Sequence, residues 1–232
     1  MNKIMNPLVS IVISCYNRKD FIAETLNSCL VQTFRDFEIV IVDDGSTDDS
    51  LSAIKPYTML PNVTVVRQHN GGPGSARNRG ILNAKGKYIL TLDSDDMLRN
   101  DHLELMVEAM GDREDLIVTS YLRLLREDGS IQNAPWAHVP QSYEDAASRN
   151  FCICCSMFSK TSWEKVKGFD ENRVLIGRED WEFWIRLYQS GCEVKVIEDY
   201  LLLYRIHNDS LSLGSGTKMK AAGDYLRSKH PI

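Results

Sequence analysis

In the first part of the chain, continuous apolar runs alternate with segments in which apolar residues recur at helical spacing. Four short, continuous apolar runs are typical of strands buried on both faces: residues 8–14, 37–42, 63–67 and 88–92. The segments between them are predicted to be helical, with apolar residues at every fourth position from Ile22 to Phe34. A second helix is expected to be capped by Ser46 or Thr47, and a third to start at Pro73 and stop at Gly86.

The second part of the chain has a less regular pattern. Further strands are predicted at residues 116–125, 151–158, 194–197 and 201–206. A turn at 168–170 precedes a predicted helix from Glu179 to Ser190, which Gly191 ends. No linker rich in Gly, Pro or Ser separates the two parts. We therefore interpret residues 1–232 as a single domain.

The order of strands and helices predicts an α/β fold with a mostly parallel, doubly wound sheet flanked by helices. Polar residues follow three of the predicted strands, at Tyr16, at Asp43-Asp44 and at Asp93 to Asp96. Because the carboxyl ends of parallel strands meet at one edge of a sheet, these residues are expected to converge there.

Composition and charge exclude several classes of protein. The chain has 232 residues, of which 43% are hydrophobic, and its formal net charge is −5. An acidic chain without a basic block is unsuited to sequence-independent nucleic-acid binding, and no apolar run reaches the roughly 20 residues of a spanning helix. The N-terminus lacks the features of a signal peptide, so a cytoplasmic location is expected, with peripheral contact at the inner face of the membrane left open.

The six cysteines allow two interpretations. Cys152, Cys154 and Cys155 resemble a thiolate metal cluster, but no second half of such a cluster occurs elsewhere in the sequence. Alternation along a strand would also place Cys155 on the face opposite to Cys152 and Cys154. Buried free thiols in a reducing compartment are the favoured interpretation.

The acidic run from Asp93 to Asp96 is the strongest local signal for chemistry. Three carboxylates in four residues repel one another unless a cation or solvent relieves them. Asp93 and Asp95 are two apart and can face one site in an extended segment. Carboxylate oxygens favour a hard divalent cation, Mg²⁺ or Mn²⁺. The alternative is an acidic turn in which Asp96 caps the next helix.

Seven segments together resemble the inverting, nucleotide-sugar-dependent glycosyltransferases of family two, which have the GT-A fold. In chain order they are VSIVISCYNR, the helix ending VQTF, FEIVIVDDGSTDDS, HNGGPGSARNRGILNAKGKYILTLDSDD, VKGFDE, GREDWEFWIRLYQSG and YRIHNDS. They extend from Val9 to about Ser210. The resemblance implies a Rossmann-like sheet with a mixed, acceptor-side C-terminal portion. It divides the chain into a nucleotide-sugar-binding half (1–98), an acceptor-binding half (99–210) and a C-terminal tail (211–232).

The resemblance implies a donor site for a UDP-sugar in the first half. Tyr16 would lie beside the uracil ring, and Asp44 would accept a hydrogen bond from the base, while Asp43 supports the turn. Asp93 would face the ribose or a metal-bound water. Ser14 stands near the place where the family usually has Pro-Thr or Pro-Ser, and it is counted with the donor-binding residues, as are Ser94 and Arg77. Arg77 is expected either to face the diphosphate or to be a solvated helix residue.

The resemblance also implies a divalent metal site, Mn²⁺ or Mg²⁺. Asp95 would bind the ion directly, and the ion would bridge the two phosphates of the donor. Asp96 is expected to lie behind this ligand. His207 is either a further metal or phosphate contact or a structural histidine.

The Glu179-Asp180 pair matches the catalytic acidic motif of the family. Asp180 is the candidate base that takes the proton of the acceptor hydroxyl, and Glu179 would orient the loop or touch the acceptor. The same pair would complement the dipole of the helix that it starts. Trp181 and Trp184 could line a sugar subsite, although helical spacing favours the core for both.

The predicted function is transfer of a sugar from a nucleotide sugar to a hydroxyl acceptor, a glycan or a lipid-linked one, in glycan or polysaccharide synthesis. The alternative is a nucleotidyltransferase acting on sugar phosphates, although SCYNRKD lacks the glycines of its signature. A glycoside hydrolase would need no nucleotide cleft, and a catalytically inactive binding module would not need both DSDD and ED. The donor sugar, the acceptor and the oligomeric state are left open.

Overall fold

The fold is built on one nine-stranded sheet in a computed structural model that describes residues 6–208 and 216–232. The strands are β1 (Val9–Cys15), β2 (Phe37–Asp43), β3 (Val63–Arg67), β4 (Tyr88–Asp93), β5 (Met97–Leu98), β6 (Leu116–Leu125), β7 (Ile131–Ala134), β8 (Met157–Ser159) and β9 (Glu193–Arg205). Their order is β3-β2-β1-β4-β8-β6-β9-β5, with β7 paired to β6. The first four strands along the chain pair in parallel, and β8, β7 and β5 add antiparallel pairs. The prediction of an α/β fold with a mixed C-terminal portion is confirmed.

Helices cover both faces of this sheet. They are α1 (Ile22–Leu30), α2 (Ser50–Ile54), α3 (Pro73–Asn83), α4 (His102–Met110), α5 (Tyr143–Ser148), α6 (Lys160–Lys165), α7 (Glu179–Gln189) and α8 (Gly216–Lys229), with short 3₁₀ turns at Lys55–Met59 and Arg173–Leu175. Leu26 of α1 and Leu103 of α4 belong to the core on one face, and Ile81 of α3 and Trp184 of α7 to the core on the other. No helix in the described parts of the chain is both long and apolar enough to cross a bilayer.

The contact between α3 and the central strand depends on a glycine. A Cβ atom at Gly80 would lie 2.3 Å from Cγ1 of Val12 in β1. A side chain at this position would therefore push α3 away from the sheet, and with it Arg77, which lies one turn earlier. The close approach of α3 to β1 fixes the height of Arg77 above the sheet edge.

Two predicted helix boundaries are wrong. The first helix ends at Leu30 rather than near Phe34, because the chain then turns towards the segment before α4. There, Gln32 donates from Nε2 to the carbonyl of Arg99 at 2.7 Å. The second helix begins at Ser50, since the Ser46 hydroxyl accepts a hydrogen bond from the backbone of Asn17 instead of capping a helix.

The predicted strand over residues 151–158 is also wrong, because only Met157–Ser159 forms a strand. Side-chain hydroxyls satisfy the backbone of the preceding segment: Thr91 donates to the carbonyl of Cys154 at 2.6 Å, and Ser156 to that of Ile153 at 2.7 Å. Because of these bonds, the segment before β8 follows an irregular path between β4 and β6 instead of pairing as a strand.

Two further differences concern the end of the chain. The predicted strands 194–197 and 201–206 form the single strand β9, which bulges opposite Tyr121 of β6. Residues 216–229 of the expected tail form α8, whose Leu226 is 1% exposed. The final residues of the quoted YRIHNDS segment, up to Ser210, lie outside the described residues, as do 211–215 of the tail.

Candidate active site

The carboxyl ends of β1, β2 and β4 form one edge of the sheet. Ser14 is in register with Asp93 of β4, and Cys15 with Asp43 of β2. The residues that follow these strands therefore converge, as the sequence predicted. Tyr16 is 43% exposed there, while Ser14 beside it is partly buried. This edge thus offers an exposed aromatic ring next to a group of acidic residues.

Asp44 holds the loop that starts α3. Its carboxylate accepts hydrogen bonds from the backbone N–H groups of Gly71 at 2.8 Å and Gly72 at 2.9 Å, and from Nε2 of Gln68 at 2.7 Å. Gly72 has a φ of +89°, a conformation that favours glycine. Asp43 supports the adjacent turn as expected, because it accepts from the Ser46 N–H and pairs with Arg67. The role of Asp44 towards a base stays a prediction.

Arg77 joins the two halves of the candidate site. Its Nη2 donates to Oδ1 of Asp93 at 2.8 Å, and its Nη1 donates to Oε1 of Glu179 at 2.5 Å. The side chain is 3% exposed, so the interpretation of Arg77 as a solvated helix residue is wrong. The guanidinium lies over the ring of Phe169 at 5.6 Å, and its buried Nε has no hydrogen-bond partner among the described residues. Arg77 therefore ties the end of β4 to the start of α7.

Cys154 also contacts this group, a contact that the residue pattern does not predict. Its thiol lies 3.5 Å from Oδ1 of Asp93, as a donor. Burial raises the pKa values of Cys152, Cys154 and Cys155 well above the ordinary thiol value, so all three are neutral at physiological pH. Neutral thiols match the interpretation of these residues as free cysteines.

Asp95 lies on the opposite side of the acidic loop from Arg77. Its Oδ2 accepts from Nε of Arg18 at 2.9 Å and lies 2.9 Å from Nε2 of His207. The ring of His207 is buried against Phe21, with centroids 4.7 Å apart. His207 and Asp95 are thus brought together from positions 112 residues apart in sequence.

Asp96 points away from the cleft, and Ser94 is buried beside it. Oδ1 of Asp96 accepts the backbone N–H of Arg205 at 2.9 Å, and the side chain is almost fully buried. Burial raises the pKa of Asp96 well above its usual range, and the charges of Asp95 and Asp93 add to this rise. The role expected for Asp96 behind a metal ligand stays a prediction.

The donor set around Asp95 fits a divalent ion that takes most of its ligands from substrate and water. Asp95 and His207 supply an oxygen and a nitrogen, a combination that suits Mn²⁺ better than Mg²⁺. Arg18 pairs with the same carboxylate oxygen and would have to move aside. Within residues 6–208 and 216–232, no group of three or more His, Cys, Asp or Glu side chains is placed to hold a metal.

Asp180 occupies the first turn of α7, next to Glu179. Its Oδ1 accepts the backbone N–H of Trp181 at 2.7 Å. Burial raises the pKa of Asp180 to about 7, with a further rise from the charge of Glu179, which Arg77 partly offsets. A carboxyl group with this pKa can exchange a proton near neutral pH, as a general base must.

The two tryptophans of α7 are core residues. Trp181 is 8% exposed and donates from Nε1 to the carbonyl of Ala146 at 2.9 Å. Arg178 covers its ring, with the guanidinium carbon 5.3 Å from the centroid. Trp184 is fully buried against Phe158. Their burial matches the core interpretation, and neither ring offers an open face to a sugar.

Besides Cys154, the sequence analysis missed three side chains that hold the site, those of Arg18, Gln68 and Arg205. Arg18 lies two residues after Tyr16 at the end of a strand, and a cation in that position beside an acidic edge was a usable signal. Gln68 and Arg205 gave no such signal, because their partners Asp44 and Asp95 come close only in the folded chain.

Comparison with known proteins gives a consistent picture. The family described as Glycosyl transferase family 2 matches residues 10–166, and the one described as N-terminal domain of galactosyltransferase matches residues 136–208. The chain is 32% identical to EpsH and 30% identical to TuaG, both of Bacillus subtilis (strain 168), over 87% and 93% of its length. It is 35% identical to the chondroitin synthase of Escherichia coli over 80% of its length.

These relatives differ in length from the chain. The alignments cover 56% of EpsH, 84% of TuaG and 27% of the chondroitin synthase. Among solved structures, the S. aureus protein TarS 1-349 in complex with UDP-GlcNAc superposes with a TM-score of 0.77 and 20% sequence identity. The match covers 98% of this chain and 68% of that one, and it shows that the two share a fold.

Proposed function

Since this chain belongs to glycosyl transferase family 2 and is a glycosyltransferase, we propose that it transfers a sugar from a UDP-sugar to a hydroxyl acceptor in polysaccharide synthesis, with inversion. The Arg77 bridge is the observation that carries the proposal. It holds Asp93, a predicted donor contact, and Glu179, the neighbour of the predicted base, on one guanidinium. The bridge therefore keeps the predicted donor side of the site next to the predicted acceptor side.

The proposed reaction is a single displacement. The carboxylate of Asp180 takes the proton of the acceptor hydroxyl while the hydroxyl oxygen forms a bond to the anomeric carbon. The bond from that carbon to the diphosphate oxygen breaks, and UDP leaves with the electron pair. Attack from the face opposite the leaving group inverts the configuration.

Asp180 rather than Glu179 is suited to the role of base. Glu179 accepts from Nη1 of Arg77 and from the backbone N–H of Gly177 at 2.7 Å, so its carboxylate is held by both oxygens. Among the described residues, Asp180 accepts a hydrogen bond from the backbone N–H of Trp181 at Oδ1 alone, and its pKa is raised to about 7. A proton on Asp180 therefore costs little free energy near neutral pH.

Donor binding is assigned to the nucleotide-sugar half, residues 1–98. We assign the exposed ring of Tyr16 to stacking with uracil, and Ser14 and Ser94, at the ends of the neighbouring strands, to the same donor site. The TarS structure named for its UDP-GlcNAc complex supports a UDP-sugar donor. The acceptor is assigned to residues 99–210, and the name of TuaG, which refers to teichuronic acid biosynthesis, supports a cell-surface polysaccharide product.

Asp95 and His207 are the residues that would hold a divalent ion, with Asp96 behind them. When bound, such an ion would neutralise charge on the diphosphate and on UDP as it leaves. Arg18, which pairs with Asp95, and Arg77 supply positive charge from the chain itself on either side of the acidic loop.

Calorimetric titration with UDP, ADP and GDP in the presence of Mn²⁺ tests the donor assignment. We expect UDP to bind more tightly by about 1–3 kcal/mol, because the wrong base leaves polar groups unpaired. Tyr16→Ala should weaken UDP binding by about 1–3 kcal/mol if the ring stacks on the base. Trp136→Ala, which removes a similarly exposed ring from the other half of the chain, is the control. Equal affinity for the three nucleotides would reject the uridine site.

A further inference from the structure

The C-terminal helix α8 meets the helix that carries the predicted base at one buried glutamate. Glu182 of α7 is fully buried, and its carboxylate pairs with Arg186 at 2.7 Å and with Nζ of Lys229 at 2.7 Å. Nε2 of His230 lies 3.2 Å from the same oxygen as Lys229. Burial alone would raise the pKa of Glu182, but the hydrogen bonds from His230 and Arg186 outweigh it and lower the pKa to about 2.

Lys229 also reaches the turn before α7. Its Nζ lies 2.6 Å from Oδ2 of Asp170, which accepts a hydrogen bond from the hydroxyl of Tyr225 at 3.2 Å. One ammonium of α8 therefore joins Glu182 on α7 to Asp170 in the turn at 168–170. Removing it would leave two carboxylates, one of them fully buried, with one cation fewer.

The same turn is attached to α3. Oδ1 of Asn78 accepts the backbone N–H of Phe169 at 2.8 Å, and its Nδ2 donates to the carbonyl of Phe169 at 2.9 Å. Asn78 follows Arg77, which binds Glu179 at the start of α7. The contacts thus form a closed ring that runs from α3 through the turn to α8, on to α7, and back to α3.

We propose that α8 is part of the catalytic unit and that Glu182 is a positioning residue that holds Asp180 in the cleft. The proposal rests on the proposed function, since it assumes that Asp180 is the base. Glu182 lies two residues after Asp180 in the first turn of α7. The hydrogen bond that Asp180 itself makes stays within its own helix, with the N–H of Trp181, so its position follows that of α7.

Displacement of α7 is expected to affect turnover more than binding of the donor. The predicted uridine contacts lie at the ends of β1 and β2, whereas Asp180 moves with α7. A misplacement of about 1 Å at a reacting group can cost about 10²-fold in rate. Loss of the Lys229 contact should therefore lower kcat more than it weakens the binding of UDP.

The test compares Lys229→Met with Arg227→Met in the full chain. Arg227 lies on the same helix, pairs with Asp224 and is exposed, so it is a matched control for loss of a cation. For Lys229→Met we expect kcat to fall by about 10- to 100-fold, and the UDP dissociation constant and the donor KM to change much less. Arg227→Met should match the wild type in all three, and Lys229→Arg should recover part of the lost turnover.

A purely structural role would give a different result. The proposal is wrong if Lys229→Met melts at a lower temperature but keeps the wild-type kcat. Its kcat/KM would then also fall at low pH in the same way as that of the wild type. Glu182→Gln is the second variant, measured in the same way, if Lys229→Met does not fold. Failure of the proposed function is seen separately, because the wild-type chain would then neither bind UDP selectively nor turn over a UDP-sugar.

Discussion

Two groups of carboxylates make up the candidate site, and they differ in what surrounds them. In the loop after β4, Asp93 is paired with Arg77, and Asp95 is paired with Arg18 and lies against His207. At the start of α7, Glu179 is paired with Arg77, whereas Asp180 accepts only the N–H of its own helix among the hydrogen bonds described. Asp93 and Asp95 are each paired with an arginine, whereas no arginine or lysine side chain in the described parts of the chain pairs with Asp180.

The two environments suit two different chemical roles. A carboxylate that is paired with cations keeps its charge and can bind a metal or a cationic group. A buried carboxyl without such a partner is easily protonated, and its pKa moves towards the range in which a general base operates. Burial raises the pKa of Asp180 to about 7. Asp180 is therefore suited to proton transfer, and the paired Asp93 and Asp95 to ligand binding.

The strongest test of this division is Asp180→Asn. Asparagine keeps the shape and the hydrogen bond to Trp181 but cannot take a proton at neutral pH. We expect kcat to fall by about 10²–10⁴-fold, with UDP affinity nearly unchanged. Steady-state transfer and calorimetry with UDP measure the two quantities, and UDP release by slow donor hydrolysis can replace the first until an acceptor is known.

Two variants serve as controls for Asp180→Asn. Asp112→Asn makes the same chemical change at an exposed position and should behave as wild type. Glu179→Gln should cost less turnover than Asp180→Asn but should lower the melting temperature, because buried Arg77 loses the charge of one partner. Near wild-type turnover of Asp180→Asn would place the base elsewhere, with Glu179 the next residue to examine.

The pH dependence of the reaction gives the next largest effect. The base must be ionised to take a proton, and the pKa of Asp180 is raised to about 7. The value of kcat/KM should therefore rise about tenfold per pH unit below 7 and level off above it, so that at pH 5 it lies about 100-fold below the plateau. The profile should lose this limb in Asp180→Asn. A limb near pH 4 instead would mean that the catalytic carboxyl is well solvated.

The sheet could be predicted from sequence because strands buried on both faces consist almost entirely of apolar residues. Residues of β1, β2 and β4 are apolar almost without interruption, and the register of Ser14 with Asp93 follows from parallel pairing. The segment at 151–156 could not be predicted in this way. Its apolar composition is that of a strand, but its conformation is set by hydroxyls of Thr91 and Ser156 that reach its carbonyls.

The sequence predicts which residues meet at the candidate site. It does not predict the hydrogen-bond partners of each residue. The strand ends placed Asp44 and Asp93 at one edge. Nothing in the pattern of residues indicated that Asp44 would be held by Gly71 and Gly72, or that Arg77 would reach Glu179, 102 residues away. Such pairings depend on how α3 and α7 pack, which apolar spacing alone does not specify.

The smallest of the three effects separates two neighbours in the acidic loop, Asp95 and Asp96. Asp95 faces His207 and Arg18, so Asp95→Asn removes the charge from the predicted metal ligand. We expect the gain in UDP affinity on adding Mn²⁺ to fall by about 10- to 100-fold, since bonds to charged groups are worth about 1.5–3 kcal/mol. In Asp96→Asn the amide oxygen can still accept the N–H of Arg205, and the change should stay within about twofold. Calorimetry with UDP, with and without Mn²⁺, measures both variants. If Asp95→Asn keeps its full dependence on Mn²⁺ while Asp96→Asn loses it, the ligand-binding role belongs to Asp96, and the division between the two carboxylate groups has to be redrawn.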